Sequence, residues 1–313
     1  MSALNISVIQ ISTFQLIGIP GMERIYIWIS IPLCLIYIIS IIGNCTILIL
    51  IKTESSLHEP MYYFLSMLAF SDLGVSLSSS PTMLKIFLFN VTGISIDACI
   101  AQEFFIHIFT AMESSVLLVM SFDRFIAIRN PLRYNSILTT DRIIKIGLIV
   151  FFRCFILILP FPITLKRLTY CNRSFLSHSY CLHQDIMKLS CSDNRVNVIY
   201  GFVVAVISMS DIAMISISYI LVLKTVLCIA SYQERLRALN TCISHICAVL
   251  IFYVPLFALS IIHRFAKHSS ELFRIMVANI FVLFPPLMNP IVYCVKTGAI
   301  REKIVRKLYF KKV

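Results

Sequence analysis

The stretch MSFDRFIAIRNPLRY, residues 120–134, changes character within a few positions. It ends a long apolar run and passes through Asp123 and Arg124 into a basic loop. An apolar run followed directly by positive charge is typical of a membrane span that reaches the cytoplasmic face. Asp123 and Arg124 can also form an ion pair that a conformational change breaks, which would expose a cationic surface to a partner. Charged span ends are common, so the dipeptide alone does not identify a function.

The composition extends this interpretation to the whole chain. Of its 313 residues, 59% are hydrophobic and 13% are charged, whereas a soluble domain is about 25% charged. Span two is less apolar because it carries Asp72 and Pro81, and span three because it carries Glu103, His107 and Glu113. We predict an all-α membrane protein, a seven-transmembrane helix bundle that forms one domain over 1–313. Its spans, each near the ~20 residues that cross a bilayer, are 26–51, 60–84, 98–122, 143–163, 197–223, 241–263 and 274–295.

Basic residues decide the orientation. They concentrate at 124–145, 224–237 and 296–312, so the positive-inside rule places the N-terminus outside. Residues 1–25 are then extracellular, with the first span as an uncleaved signal anchor, and 296–313 form a cytoplasmic tail with a short amphipathic helix. The net charge of +12 fits anchoring to an anionic leaflet better than nucleic-acid binding. The outer sequons predict glycosylation, at Asn5 foremost and also at Asn90 and Asn172.

Four of the 11 cysteines fall at the outer face, where the compartment is oxidising. They are Cys99, Cys171, Cys181 and Cys191. Four cysteines allow three disulfide pairings, and the residues alone do not choose among them.

Carboxylates lie at membrane depth in three spans, as Asp72, Glu113 and Asp211, and Asn44 and Asn289 add amides there. An ionised carboxylate in hydrocarbon costs several kcal/mol on most scales, so each needs a counter-ion, a partner or a proton. The cluster could hold Na⁺, or it could be a set of protonated or hydrogen-bonded acids.

Prolines interrupt several spans and remove backbone hydrogen bonds there. Pro255 and Pro290 are candidate hinges, and a static bend is the alternative for each.

Polar residues in the outer half of the bundle are candidates for a ligand site. They are His107, Ser260, Arg264 and the loop pair His183 and Gln184. Arg264 and Ser260 are four positions apart and share a helix face. Arg264 could extend its guanidinium to water or headgroups, or it could bind a carboxylate through two parallel hydrogen bonds. For the apolar wall we predict Phe104, Ile108, Met112, Phe202, Val203, Ile207, Phe257 and Ile261.

Motifs along the whole chain resemble an odorant receptor of the rhodopsin-like G-protein-coupled class. They are GN in span one, LHEPMYYFLSMLAFSD (57–72), MSFDRFIAIRNPLRY, SYILVL (218–223), LNTCISHICAVLIFYVP (239–255) and PPLMNPIVY (285–293). HSYCLHQDIMKLSC (178–191) and HICAVLIFYVPL (245–256) are similar to the class I, or fish-like, branch.

The resemblance implies roles for the inner half of the bundle. Asp123 and Arg124 match the family's Asp-Arg-Tyr motif, with Phe125 in place of its tyrosine. Asp72 and Glu113 match the sodium site, so Na⁺ becomes the favoured interpretation of the buried acids. The other activation residues that it implies are Tyr219, Tyr253, Asn289, Pro290 and Tyr293.

It also implies roles for the outer half. The disulfides would be Cys99–Cys181 and Cys171–Cys191. His107, Ser260, His183 and Gln184 match positions that line or cap the pocket, and Arg264 matches an arginine associated with carboxylic acids. Among the apolar positions, we retain Phe104 and Ile108 as ligand contacts.

We therefore predict an odorant receptor, not an enzyme, in the plasma membrane of olfactory cilia. It would bind a small volatile, a carboxylic acid or similarly polar odorant, and raise cAMP through a stimulatory olfactory-type G protein. A receptor of the same architecture for a non-odorant metabolite acid is one alternative. An ion-coupled transporter is another, although no internal repeat is visible.

Overall fold

The computed structural model describes residues 12–171, 174–265 and 270–310, and at 237, 241, 263–265 and 308–310 it describes the backbone only. The predicted glycosylation sites Asn5 and Asn172 lie outside these residues, as does the side chain of Arg264. The helices are α1 (Tyr26–Thr53), α2 (Pro60–Phe89), α3 (Ile96–Arg129), α4 (Tyr134–Ile137), α5 (Thr140–Ile158), α6 (Pro160–Lys166), α7 (His183–Lys188), α8 (Arg195–Leu227), α9 (Tyr232–Phe265), α10 (Glu271–Lys296) and α11 (Gly298–Phe310).

Local sequence sets several of these boundaries. The hydroxyl oxygens of Ser95 and Ser270 accept hydrogen bonds from the first turns of α3 and α10, each at 3.3 Å, which satisfies helix-end N–H groups. Pro60 begins α2, where its missing N–H costs nothing. Asn90 ends α2 in the left-handed conformation, with φ of 53°.

Seven helical units match the predicted spans. Within the described residues, six of them are long and apolar enough to cross a membrane. The seventh, α2, is 30 residues long and contacts α1, α3 and α10. Its lower hydropathy reflects the polar residues that it buries inside the bundle, among them Ser71, Asp72, Ser76 and Ser79.

Two prolines interrupt the helical hydrogen bonding of the spans. The fourth span divides at Pro160 into α5 and α6. In α10, Pro290 has no N–H, so the carbonyl four residues earlier, that of Pro286, loses its helical donor. The side chains of Asn44 and Ser40 on α1 donate to that carbonyl instead, at 2.9 and 3.0 Å. The proline thereby leaves an acceptor for two hydrogen bonds between α1 and α10.

A small β-sheet covers part of the outer face, which the all-α prediction missed. The strands are β1 (Thr13–Leu16), β2 (Gly93–Ser95) and β3 (Phe175–Leu176). β1 lies in the middle, antiparallel to β2 and parallel to β3. Strands of two to four residues carry too few positions for an alternating pattern to show in the sequence.

Candidate functional site

A cavity of about 510 Å³ opens in the outer half of the bundle, within the range typical of small-molecule sites. Its wall is mostly apolar, and polar residues gather at its outer end. The described lining residues are Ile106, His107, Thr110, Ala111, Ser114, Ile158, Phe161, Leu182, His183, Gln184, Met187, Lys188, Asn194, Val198, Gly201, Phe202, Val204, Ala205, Ser208, Met209, Phe252, Leu256, Leu259, Ser260 and Phe281.

Four of the predicted polar contacts meet at this cavity. His107 comes from α3, His183 and Gln184 from α7 beneath the outer loop, and Ser260 from α9. The Ser260 hydroxyl donates to the carbonyl of Leu256 at 2.8 Å and keeps its oxygen lone pairs for another partner. Arg264 follows Ser260 by one turn on α9.

Phe104 and Ile108, which we retained as ligand contacts, are not among the described lining residues of this cavity. Phe104 packs edge-on against Phe155 of α5, with ring centroids 6.4 Å apart. Ile108 is 5% exposed and lies in the core below. Of the other predicted apolar contacts, Phe202 lines the described wall and Met112, Val203, Ile207, Phe257 and Ile261 do not. Depth along a span was predictable, whereas rotation about its axis was not.

Below the cavity, a polar network joins four helices. Arg153 of α5 donates from Nη2 to Asp211 Oδ1 of α8 at 2.7 Å and from Nη1 to the Ser115 hydroxyl at 2.8 Å. The Ser114 hydroxyl donates to Asp211 Oδ2 at 3.1 Å. Its only hydrogen is then used, so Tyr253 of α9 donates to the Ser114 oxygen, 2.8 Å away. Ser114 also lines the cavity, so the network reaches from the cavity wall to α9.

A second buried cluster brings together the predicted sodium residues. Asn289 Nδ2 donates to both oxygens of Asp72, at 3.1 and 3.2 Å, and to Glu113 Oε1 at 3.1 Å. All three residues are at most 2% exposed. The amide oxygens of Asn289 and of nearby Asn44 are buried and have no hydrogen-bond partner among the described residues. Two carboxylates and unpartnered amide oxygens are a donor set suited to a hard cation.

At the inner face, Arg124 is held by its neighbour. Its guanidinium donates to Asp123, with 3.0 Å between Nε and Oδ2, and Tyr134 donates to the other carboxylate oxygen at 2.6 Å. Burial, followed by the Asp123 charge, raises the pKa of Tyr134. Both members of the ion pair are buried, so the cation is shielded from the inner surface.

Two of the predicted activation tyrosines lie near this ion pair, and they differ in their contacts. Tyr219 of α8 contacts His245 Nδ1 of α9, and His245 Nε2 lies 3.0 Å from the Leu117 carbonyl of α3. The hydroxyl of Tyr293 is buried without a hydrogen-bond partner among the described residues. His245 was not predicted, and a lone histidine in an apolar run gave no signal for it.

Two disulfides staple the outer loops, Cys99–Cys181 and Cys171–Cys191, in the pairing that the resemblance implied. Tyr180, next to the first of them, is fully buried and donates from its hydroxyl to the Ala278 carbonyl of α10 at 2.9 Å. Asn90 is exposed in the outer turn after α2, where a glycan could attach.

Comparison with known proteins agrees with this geometry. Squid rhodopsin has the same fold, with a TM-score of 0.72 at 18% identity over 95% of this chain and 91% of its own. Human olfactory receptor 51A7 is 65% identical over 98% of both chains, and human olfactory receptor 51A4 is 62% identical over the full length of both. The family model described as olfactory receptor matches residues 33–311. The chain therefore belongs to the olfactory receptor family.

Proposed function

We propose that the ligand is a small carboxylic acid, or a similarly polar volatile, that binds with its polar group at the outer end of the cavity. The observation that carries this proposal is the convergence of His107, His183, Gln184 and Ser260 in the wall of a mostly apolar cavity. A few convergent polar groups in an apolar wall fix a small ligand's orientation. Arg264, one turn beyond Ser260, would supply the paired donors that a carboxylate needs.

Membership of the olfactory receptor family establishes the general function within which this ligand is proposed. The chain is an odorant receptor of the plasma membrane that binds small molecules and acts through a G protein, not an enzyme. The transporter alternative is therefore set aside. A receptor of the same architecture for a metabolite acid outside the nose differs in where it is expressed, not in its site.

We further propose that the partner is the stimulatory olfactory-type G protein, so that binding raises cAMP. Ligand binding would favour a state in which the inner end of α9 moves outward, a shift of population rather than chemistry. The contact between Tyr219 and His245 and the pair between Arg124 and Asp123 are the inner-face contacts that this movement would release. The freed Arg124 and the basic loop after it would then meet the G protein.

The Asp72, Glu113 and Asn289 cluster is proposed to hold Na⁺. The unpartnered amide oxygens of Asn289 and Asn44 support it, because both are buried acceptors that lack a donor among the described residues. The cation would offset the two carboxylate charges and favour the resting arrangement. We also propose N-linked glycans at Asn5, Asn90 and Asn172.

A cAMP reporter assay in cells tests the ligand class. Wild type, Arg264→Ala and Arg264→Lys would be titrated with straight-chain acids and with their methyl esters, and surface levels would be measured in parallel. Loss of a charge-assisted pair costs about 1.5–3 kcal/mol, so the EC50 for acids should rise at least about tenfold in Arg264→Ala. Lysine should retain part of the response because a point charge replaces a planar fork.

The matched control is Arg167→Ala, which removes an exposed arginine from the outer loop. Its EC50 for acids should equal that of wild type. A full acid response in Arg264→Ala at normal surface level would overturn the role of Arg264. A wild-type receptor that responds to esters and never to acids would overturn the ligand class itself.

A further inference from the structure

Glu103 of α3 lies directly behind the polar end of the cavity. Its carboxylate is 0% exposed, and neither oxygen accepts a hydrogen bond from the described residues. Two imidazoles lie close to it, with His183 Nδ1 3.2 Å and His107 Nδ1 3.6 Å from Oε1. Both imidazoles line the cavity and Glu103 does not. The two histidines therefore lie between the Glu103 carboxylate and the cavity.

The two imidazoles differ in how their hydrogens are held. His107 Nδ1 lies 2.9 Å from the backbone carbonyl of Glu103, and a carbonyl only accepts, so this nitrogen carries a hydrogen. His183 is 4% exposed, packs against the Phe161 ring at 4.2 Å between centroids, and has no hydrogen-bond partner on either nitrogen among the described residues. A buried imidazole therefore lies beside a buried carboxylate, and both lack hydrogen-bond partners among the described residues. One added proton could form a hydrogen bond between them.

The other charged groups around the cavity do not offset Glu103. On α7, Lys188 lines the cavity, and its ammonium pairs with Asp185 at 3.1 Å. Asp185 also contacts His178. The described lining residues of α6, α8 and α10 are uncharged. Tyr170 of the outer loop donates its hydroxyl to the Leu165 carbonyl. On α9, Arg264 follows the lining residue Ser260 by four positions. Its one positive charge would balance either Glu103 or a ligand carboxylate, not both.

We propose that Glu103 is a specificity-determining residue that makes acid recognition proton-linked, so that a carboxylic acid binds together with one proton taken up from the medium. This inference rests on the proposed function, in which the ligand is a carboxylic acid. A second carboxylate beside Glu103 would leave an uncompensated charge in a buried site, which costs several kcal/mol. One proton removes that cost. Either the ligand carboxyl keeps it and donates to a bare histidine nitrogen, or His183 holds it between Glu103 and the ligand.

The proton count gives the expected dependence on pH. Free carboxylic acids titrate at a pKa of about 4–5, so they are ionised between about pH 6 and pH 8. If binding takes up one proton, the affinity for the acid falls by at most about tenfold for each unit by which the pH rises above about 6. An ester of the same acid carries no such proton, so its EC50 should not follow pH. The ratio of the two EC50 values isolates the linkage from any effect of pH on the cell or on the G protein.

The experiment measures this ratio at several external pH values in wild type, Glu103→Gln and Glu271→Gln. Glutamine keeps the size of the side chain and removes its charge. We expect the acid-to-ester ratio to rise severalfold per pH unit in wild type and to change less than about twofold over the whole range in Glu103→Gln. Glu271→Gln removes an exposed outer carboxylate at the start of α10 and should behave as wild type.

The outcomes separate this inference from the ligand class. The proton linkage would be overturned if wild type responds to acids but its acid-to-ester EC50 ratio does not change with pH. It would also be overturned if this ratio changes with pH equally in Glu103→Gln. In both cases the acid would remain the ligand. A wild type that no acid activates would overturn both. Should Glu103→Gln fail to reach the surface, Glu103→Met, uncharged and of similar length, takes its place with the same expected loss of slope. A structural role alone would lower the surface level or the maximal response without altering the slope.

Discussion

Arg153 of α5 and Asp211 of α8 form an ion pair inside the membrane-spanning part of the bundle, with 2.7 Å between Nη2 and Oδ1. Asp211 is 5% exposed and accepts a hydrogen bond from Ser114 of α3, while Arg153 donates to Ser115 of the same helix. An unpaired charge is expensive at this depth, so each partner is held in place by the other. The pair thus fixes α5 and α8 against α3 directly beneath the ligand cavity.

Removal of one partner should therefore cost more than removal of both. Arg153→Met leaves Asp211 buried without its cation, a change worth about 3–5 kcal/mol, whereas loss of both charges is often close to neutral. We expect Arg153→Met and Asp211→Asn each to lower the surface level and thermal stability, and the double variant to recover much of the loss. A double variant as impaired as the sum of the single ones would show that the pair contributes no coupling.

Sodium should matter to the receptor only while both acids of its site remain. Replacement of sodium by choline should raise basal signalling in wild type, because we propose that the cation favours the resting state. Glu113→Gln should abolish this response to the ion, since one of the two carboxylate ligands is gone. The measurement is basal cAMP with and without sodium, and Glu271→Gln is the control. Unaltered sodium dependence in Glu113→Gln would remove the support for the site.

Glu54, in the turn after α1, should anchor the helix that follows the last span. Lys303, Arg306 and Lys307 of α11 lie within 3.0–3.5 Å of its carboxylate. Desolvation acts to raise the pKa of Glu54, but the Lys307 hydrogen bond and the positive charges outweigh it and lower that pKa below its usual value. Because the pKa of Glu54 is lower in the folded state, its ion pairs stabilise the attachment of α11 fully above the ordinary pKa of a glutamate. This stabilisation is lost as the pH falls through the folded-state pKa.

In Glu54→Gln we expect faster hydrogen exchange in peptides from 298–310 at neutral pH. The matched control is Glu59→Gln, an exposed glutamate at the start of α2. In wild type, the same increase in exchange should appear only under acid conditions. Equal exchange in Glu54→Gln and wild type at neutral pH would mean that α11 is held by its apolar contacts alone.

Two helix glycines should respond differently to alanine. At Gly74 of α2, a Cβ atom would lie 2.3 Å from the ring of Phe109 on α3, which a packed ring cannot avoid without displacing a helix. At Gly147 of α5, it would meet the Cε methyl of Met67 at 2.6 Å, and a flexible side chain can move. Overpacking costs about 1–3 kcal/mol, so Gly74→Ala should lower thermal stability and surface level far more than Gly147→Ala. Similar losses in both would contradict this reasoning.

The spans and their order were predictable from the sequence because hydropathy and basic flanks depend on composition alone. The pairing of the four outer cysteines and the grouping of Asp72 with Glu113 came from family resemblance, since the residues left both open. The partnership of Arg153 and Asp211 was not predictable. The two residues lie in different spans, 58 positions apart, and nothing in the local sequence indicates which faces meet.

Rotation about helix axes limited the prediction of the cavity wall. Phe104 and Ile108 lie outside the described cavity wall, whereas His107 lines it. Glu103 received no predicted role because only one of its two histidine neighbours, His107, lies on the same helix, whereas His183 comes from a distant segment. The sheet was missed for a related reason, since β1 gains its partners from two distant loops.

The carbonyl that Pro290 leaves without a donor has a mechanical consequence. Asn44 and Ser40 bond to it from α1, so the weak point of α10 is also its attachment to a neighbour. Any bending or straightening of α10 at this level must either carry α1 with it or break two hydrogen bonds where water is scarce. A change in the bend of α10 at Pro286 should therefore be coupled to a movement of α1.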